Sequence, residues 1–233
     1  MEAVTSRKAH AHGARGTAHS AGQASVTKAP RPSRSRLAIV KLGGSHATGP
    51  HLSAWLAAIA AKAGAIVVVP GGGPFADAVR AAQSPIGYDD RAAHVMALMA
   101  MAQFGCALAS LNPAMKPAAS RAAILRALKA RQVPVWSPEP MTRGKLPETW
   151  ELTSDSLAAW LAGTLGADHL LLVKHGRFET ETVSADDLAA RGVVDPLFPR
   201  YFGESRVRAW IAAPADSGRL ASGLQRPIFP EIV

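Results

Sequence analysis

The sequence has very little cysteine and no long apolar run. Its single cysteine, Cys106, excludes an internal disulfide framework and favours a reducing compartment, so we expect a cytoplasmic protein. Cys106 falls within an apolar, helix-like stretch, which predicts an inert thiol in the core. No stretch approaches ~20 consecutive strongly apolar residues, so we expect no membrane span. With 48% hydrophobic residues, the 233-residue chain can bury a substantial core.

Acidic residues are scarce at the start of the chain, where most of the positive charge lies. Residues 1–36 contain seven Lys or Arg and one acid, Glu2, so they carry +6 of the net charge of +9. This arm has no aromatic residues for base stacking and too few large apolar residues for a core. It also lacks the apolar stretch of a secretory signal. We therefore predict a disordered basic extension over 1–35, a single domain over 36–233, and no nucleic-acid or membrane partner; a transit peptide and a basic tether are the alternatives.

Deleting residues 1–35 should leave turnover and Tm unchanged, because the first ordered signal is the strand that begins at Leu37. The measurement compares the activity, melting and DNA retention of the full and shortened chains at low and physiological salt. A large loss of turnover or Tm would contradict this expectation and would mean that the arm packs against the domain or a neighbouring subunit.

Strand and helix patterns alternate after the arm. Short apolar strands are predicted at 37–42, 65–69, 133–136, 168–174 and 206–212. Helices are predicted at about 50–63, 74–83, 89–110, 118–130, 155–165 and 184–191. This alternation indicates a parallel sheet with helices on both faces, whose ligands bind at the carboxyl ends of the strands.

A glycine-rich turn follows each of the first two strands. The first is Lys41-Leu-Gly-Gly-Ser45 and the second is Gly71-Gly-Gly-Pro-Phe-Ala-Asp77. Glycine lets the backbone approach an anion closely and direct its N–H groups at it. Lys41 closes the first strand, where its ammonium group could contact transferring phosphate oxygens. Two such turns in one sheet predict phosphoryl transfer from a donor phosphate to an acceptor.

Two other nucleotide-binding motifs are absent or incomplete. A P-loop is excluded because Gly43 to Gly49 is followed by Pro50 rather than by Lys and Ser or Thr. Gly71-x-Gly73-x-x-Ala76 meets part of a dinucleotide fingerprint. It follows the second strand, however, and no acidic residue ends a strand ~20 residues later, which disfavours a dehydrogenase.

A third motif, Thr153-Ser-Asp-Ser-Leu-Ala-Ala159, precedes the apolar strand Leu170-Leu-Leu-Val-Lys174. In this order, the motifs resemble those of the amino acid kinase family, which includes acetylglutamate, aspartate, carbamate and uridylate kinases. The resemblance covers about residues 36–230. It implies a three-layer αβα sandwich of the α/β class, with an open, mostly parallel sheet. The acceptor would lie over the N-terminal half and the nucleotide over the C-terminal half.

The resemblance also implies roles for individual residues. Lys41 and Asp155 would be the catalytic residues, Lys41 stabilising the transferring phosphoryl group and Asp155 orienting Lys41. The phosphate- and nucleotide-binding residues would be Gly43, Gly44, Ser45 and Lys174. The acceptor would bind at Gly71, Gly72 and Gly73. On the residues alone, Asp155 could instead be a helix N-cap and Lys174 a solvated lysine at a strand end.

The implied ligands and partners are small molecules. The phosphoryl donor would be ATP, with Mg²⁺ held through the nucleotide phosphates rather than by metal ligands of the protein. The acceptor would be a small phosphorylated or carboxylated molecule, and the protein would be a homo-oligomer.

The chain departs from the common family pattern in its C-terminal half. Many members have Thr-Asp-x-Asp-Gly-Val where this chain has Val173-Lys-His-Gly-Arg-Phe178. The later Gly-Gly-Met-x-x-Lys segment, which supplies a second phosphate lysine, is missing. Lys174, Arg206 or Arg208 would have to replace that lysine, and His175 is expected at the surface.

Two segments look like the small kinases of methanofuran biosynthesis, which phosphorylate an aminomethylfuran-methyl phosphate to its diphosphate with ATP. They are Ala92–Gln103 and Trp150–Trp160. Since His94 and Gln103 lie on opposite faces of a helix, they cannot both bind one small ligand; Met96 and Met101 are expected in the core or a subunit interface. The alternatives are a non-catalytic nucleotide- or oxyanion-binding protein, or a kinase for another small carboxylate or a nucleoside monophosphate.

Overall fold

A computed structural model describes residues 36–44, 49–178, 180–223 and 228–233. These residues belong to one compact unit, Ser35–Val233. The predicted extension over 1–35 and the predicted phosphate ligand Ser45 lie outside the described residues, so both stay predictions.

The centre of the domain is an eight-stranded sheet in the order β3-β4-β2-β1-β5-β7-β8-β6. In chain order, the strands are β1 (Ala38–Leu42), β2 (Ile66–Pro70), β3 (Met115–Ala118), β4 (Val133–Trp136), β5 (His169–Val173), β6 (Thr182–Val183), β7 (Arg208–Ala212) and β8 (Glu231–Ile232). All neighbouring pairs are parallel except β7 and β8, which are antiparallel. The predicted α/β class with an open, mostly parallel sheet is therefore confirmed.

Helices cover both faces of the sheet. They are α1 (Leu52–Ala60), α2 (Gly73–Ile86), α3 (Asp90–Leu111), α4 (Arg121–Lys129), α5 (Glu139–Thr142), α6 (Ser154–Leu165), α7 (Ala185–Ala190) and α8 (Phe198–Ser205). A 3-10 helix spans Pro214–Ser222. Each face buries its own apolar cluster. Side chains alternate along a strand, so Ile39 of β1 joins the cluster under α6 and α8, and Val40 joins the one under α1.

This alternation also decides where the lysines of the site lie. Lys41 is two residues after Ile39, and Lys174 is two residues after Leu172, which belongs to the α6 cluster. Both lysine side chains are therefore expected on the face of the sheet that α6 covers. Because β1 and β5 are parallel neighbours, with Lys41 opposite Leu172, the two lysines reach the same edge of the sheet.

Some elements differ from the predicted ones. The helix predicted at about 118–130 begins at Arg121, and Met115–Ala118 is instead an edge strand, β3, with two exposed residues in its middle. An edge strand that is half exposed lacks the continuous apolar run of a buried parallel strand. Helix α8 and the strands β6 and β8 were not predicted. Each strand has only two residues, too few to show a period, and α8 contains Pro199 and Gly203, which weaken a helical pattern.

Helix α3 corrects the prediction for Cys106. Among the described helices, α3 is long and apolar enough to cross a membrane by length and composition, yet it packs against α2, β3 and β4 as core helices do. Met101 is buried, whereas Met96 is 37% exposed. Cys106 is exposed, so the prediction of a core thiol is wrong. The error arose because α3 is apolar on its outer face as well, so composition could not tell its two sides apart.

Candidate active site

Two lysines converge on one buried aspartate at the carboxyl edge of the sheet. The Nζ atom of Lys41, in β1, lies 2.8 Å from Oδ1 of Asp155. The Nζ atom of Lys174, just after β5, donates a hydrogen bond of 2.8 Å to Oδ2 of the same carboxylate. The side chains of Lys41 and Asp155 are only 5% and 4% exposed, and that of Lys174 is 18% exposed. The fold thus brings together three residues that are far apart in the sequence.

Asp155 is held in place by the start of α6. It is the second residue of the helix, and Thr153 occupies the N-cap position, so the interpretation of Asp155 as an N-cap is wrong. A carboxylate in the first turn also interacts favourably with the positive end of the helix dipole. Helix α6 packs on β1 and β5, which places Asp155 over the ends of both strands.

Burial and charge shift the ionisation of the group in opposite directions. Burial lowers the pKa of Lys41, the charge of Lys174 lowers it further, and the nearby carboxylate of Asp155 offsets only part of these effects. Burial alone would raise the pKa of Asp155, but the two ammonium groups outweigh it and lower the pKa. The group therefore holds a fixed carboxylate under two cations, one of which gives up its proton more easily than a free lysine does.

The two glycine-rich turns pack directly against each other. A Cβ atom on Gly44 would overlap the backbone nitrogen of Gly73, and one on Gly71 would overlap that of Gly44. The N–H group of Gly71 donates to the backbone oxygen of Leu42 at 2.7 Å, so it is engaged within the protein. The turns thus form one continuous backbone surface rather than two separate cradles.

Replacing Gly44 with alanine should disrupt this surface, because the new methyl group has no room beside Gly73. We expect Tm to fall and ligand binding to weaken together, since the two turns must move apart. Gly203→Ala is the control, since nothing lies within 4 Å of a Cβ atom at that position. Gly87→Ala is unsuitable, because Gly87 has a positive φ that alanine rarely adopts. A normal Tm with unchanged binding in Gly44→Ala would contradict the close packing of the turns.

A cavity of about 260 Å³ opens beside these turns and the start of α6. Its floor is polar backbone and hydroxyl groups, supplied by Gly44, Gly71–Gly73, Thr153 and Ser154. Its walls are apolar, with Leu98, Met101 and Leu157. It is also lined by the exposed, charged side chains of Asp77 and Arg80, by Trp150 and by the buried ring of His94. The size and the mixture of surfaces fit a small anion that carries an apolar portion.

One wall of the cavity is the segment before α6, which is attached to α2 and α3. The indole N–H of Trp150 donates to Oε1 of Gln83 at 2.7 Å, and the Arg80 guanidinium lies 4.4 Å from the centre of the Trp150 ring. Nδ1 of His94 lies 3.2 Å from the backbone oxygen of Thr149. Burial lowers the pKa of His94, so its ring is neutral at pH 7. Gln103 is exposed, so His94 and Gln103 do not share a site.

A second cavity, of about 370 Å³, lies on the C-terminal half of the same edge. It is lined by Phe178, Thr180, Glu181, Thr182, Arg219, Ile228, Phe229, Pro230 and Glu231. The backbone N–H of Lys174 donates to Ala212 at the end of β7, and that of Ile211 donates to Pro230, so the cavity adjoins the strand ends.

Of the three residues that could replace the missing lysine, Lys174 alone lies near Lys41 and Asp155. Arg208 begins β7, at the opposite edge of the sheet, and pairs with Glu231 at 2.9 Å. Arg206 precedes it, at the end of α8. His175 is exposed, as expected. Within the described residues, no group of three or more His, Cys, Asp or Glu could hold a metal ion.

Sequence reasoning missed two parts of the site. Arg80 and Trp150 line the first cavity, yet neither residue was assigned a role from the sequence, although Trp150 begins one of the two segments that resemble other kinases. Asp195 contacts the start of α6 from 39 to 42 residues further along the chain. No spacing rule connects positions so far apart, so only the folded chain could show them together.

Solved structures of nucleotide and amino acid kinases share this fold. Uridylate kinase from Archaeoglobus fulgidus is 18% identical, with a TM-score of 0.65 over 84% of this chain and 100% of that one. UMP kinase from Ureaplasma parvum is 14% identical, with a TM-score of 0.59 over 84% of this chain and 93% of that one. Aspartate kinase from Synechocystis is 14% identical, with a TM-score of 0.60 over 84% of this chain and 39% of that one.

Sequence comparison identifies the family. No curated protein sequence matches the chain. The family model described as "Amino acid kinase family" matches residues 36–175, which include both glycine-rich turns, Asp155 and Lys174. The matched region is more than half of the chain. The chain belongs to the amino acid kinase family.

Proposed function

We propose that this protein is a kinase that transfers the γ-phosphoryl group of ATP to a small anionic acceptor. The observation that carries the proposal is the buried group of Lys41, Asp155 and Lys174 at the carboxyl edge of the sheet, where both glycine-rich turns also lie. Membership of the amino acid kinase family supports the same activity. The acceptor would occupy the cavity beside Gly44 and Gly73, and the nucleotide would lie over the C-terminal half.

In the proposed reaction, an oxygen of the acceptor anion attacks the γ-phosphorus of ATP. The bond from that oxygen to phosphorus forms, the bond from the γ-phosphorus to the β–γ bridging oxygen breaks, and ADP leaves. An ionised phosphate or carboxylate carries no proton on the attacking oxygen, so the reaction needs no general base. Lys41 and Lys174 stabilise the charge on the transferring group, and Asp155 holds them in position.

The nucleotide site is proposed from Lys174 and the second cavity. Lys174 is four residues from Phe178, which lines that cavity with Phe229 and Arg219. The rings would contact the nucleoside while Lys174 contacts a phosphate. Mg²⁺ would arrive on the nucleotide phosphates and neutralise part of their charge, since no described acidic cluster offers it a site of its own.

We further propose that the acceptor is an aminomethylfuran-methyl phosphate. Its phosphate would lie against the glycine-rich turns, and its flat ring between the apolar walls of the cavity. Its ammonium group would face Asp77, whose exposed carboxylate also lies 3.6 Å from the guanidinium of Arg80. Each of the three parts of this molecule thus has a matching surface, which supports the proposal.

Incubation of the pure protein with ATP, Mg²⁺ and a panel of acceptors tests the function. The panel should contain the furan phosphate, the same molecule without its amino group, UMP, aspartate and acetylglutamate. Turnover on the furan phosphate, with a higher KM for the analogue that lacks the amine, is the expected result. Turnover on another acceptor alone would support a kinase with a different substrate. Nucleotide binding without any turnover would favour the non-catalytic binding protein.

The pH dependence of kcat/KM should show an alkaline limb below pH 10.5, the ordinary pKa of lysine, because burial lowers the pKa of Lys41. Lys41 acts as an ammonium, so activity is lost as the pH rises through its pKa. The limb in kcat should lie at higher pH, since bound phosphate favours the charged form. The arginine in Lys41→Arg stays protonated, so the pH profile of the residual activity of this variant should have no alkaline limb. An alkaline limb that persists in Lys41→Arg would contradict the assignment.

A further inference from the structure

Asp195 is a buried carboxylate in the turn before α8, and its hydrogen-bond partners all lie at the start of α6. Its Oδ2 atom accepts hydrogen bonds from the N–H of Thr153 at 3.1 Å, from the hydroxyl of Thr153 at 2.8 Å and from the N–H of Ser156 at 3.0 Å. Its Oδ1 atom accepts from the hydroxyl of Ser156. Within the described part of the chain, no lysine or arginine forms an ion pair with Asp195.

These contacts replace the usual cap of the helix. The first N–H groups of a helix have no partner within it, and the side chain of the N-cap residue normally accepts from one of them. Thr153 makes no such bond, and its hydroxyl donates to Asp195 instead. The first turn of α6 is therefore fixed by a residue from a different part of the chain.

The anchored turn is the one that carries Asp155. Thr153 and Ser156, on either side of it, are both tied to Asp195, and the two oxygens of Asp155 contact Lys41 and Lys174. Any movement of this turn would change both lysine contacts at once. Thr153 also lines the acceptor cavity, so the same turn contacts both that cavity and, through Asp155, the two lysines.

The charge of Asp195 also affects the ionisation of Lys41. Burial raises the pKa of Asp195, and the nearby charge of Asp155 raises it further. Asp195 in turn contributes to holding the proton on Lys41. The carboxylates of Asp155 and Asp195 together balance the two lysines in charge. A buried carboxylate with only neutral partners is costly to keep ionised, which argues for a role beyond capping a helix.

We propose that Asp195 is a positioning residue, which fixes the first turn of α6 so that Asp155 holds Lys41 and Lys174 at the spacing that phosphoryl transfer needs. The inference rests on the proposed function as far as turnover is concerned. Its structural part, that Asp195 controls Lys41 through the turn of Asp155, can be measured without turnover.

The test compares Asp195→Asn and Ser156→Ala with Ser120→Ala. Ser120 caps α4 by accepting from the N–H of Ala123 at 3.2 Å, so its variant loses a helix cap away from the site. We expect kcat to fall about tenfold to a hundredfold in Asp195→Asn, with a smaller change in KM, because a small displacement of catalytic groups costs rate first. Ser156→Ala should lose less, and the double variant should lose no more than Asp195→Asn alone. Ser120→Ala should keep its kcat.

A titration of the Lys41 side-chain signal by NMR supplies the readout that does not need turnover. In Asp195→Asn, Lys41 should lose its proton at lower pH than in the parent protein, in part because a negative charge is removed. Ser156→Ala keeps that charge and removes only a hydrogen bond to Asp195, so the same shift in Ser156→Ala reports movement of the turn. If this shift occurs but no acceptor is turned over, the proposed function fails and the positioning role stands. If Asp195→Asn lowers Tm as Ser120→Ala does, while kcat and the Lys41 titration stay unchanged, Asp195 is only a helix cap and the inference is overturned. If Asp195→Asn does not fold, kcat and the Lys41 titration are measured in Ser156→Ala instead, and unchanged values there overturn the inference.

Discussion

Lys41→Met should lower kcat by about 10²–10³-fold, the cost of losing one preorganised donor to a developing negative charge. The change keeps a long, unbranched side chain in β1 and removes only the ammonium group. Lys174 still pairs with Asp155, so the carboxylate keeps a partner and the fold should survive. Steady-state kinetics with the acceptor found in the panel would measure the loss, and circular dichroism would check the fold.

Lys62→Met is the matched control for this variant. Lys62 lies outside the two cavities, and its Nζ atom donates to the backbone oxygen of Ala221 at 3.1 Å. It should lose no more than a small fraction of kcat. Equal kcat values for Lys41→Met and Lys62→Met would mean that Lys41 does not act on the transferring group.

Asp155→Asn should destabilise the protein by about 3 kcal/mol or more, because it leaves two ammonium groups beside a buried amide with no negative charge between them. Activity should fall with it, since neither lysine is held in place. Thermal or urea unfolding would measure the loss of stability. Asp186→Asn is the control, since Asp186 also lies in the first turn of a helix but is exposed.

The pairing predicts how this loss should change with a second substitution and with pH. Removing one of the two cations should relieve the effect, so Lys41→Met/Asp155→Asn should be more stable than Asp155→Asn alone. The destabilisation should also shrink as the pH rises, because a neutral Lys41 needs no counter-charge. Strictly additive losses in the double variant would show that the carboxylate does not stabilise Lys41.

The sequence by itself determined the fold class and the family. Buried strands such as Ile66–Pro70, helices between them and glycine-rich turns after the first two strands are local patterns, and a parallel sheet is the arrangement that can bury them. The same patterns predicted that Lys41 and the turn at Gly71 would lie at one edge, because parallel strands end together. Composition, by contrast, misplaced Cys106, since an apolar helix does not reveal which face is covered.

The tertiary structure alone decided which residues meet at that edge. It brings Lys174, and neither Arg206 nor Arg208, to Asp155, because both arginines lie at the amino end of β7, and it packs the two glycine-rich turns into one surface. It also joined Asp195 to the turn of Asp155. The physical reason is that these contacts depend on how helices α6 and α8 pack over the sheet. Such long-range packing leaves no periodicity or spacing in the chain from which it could be predicted.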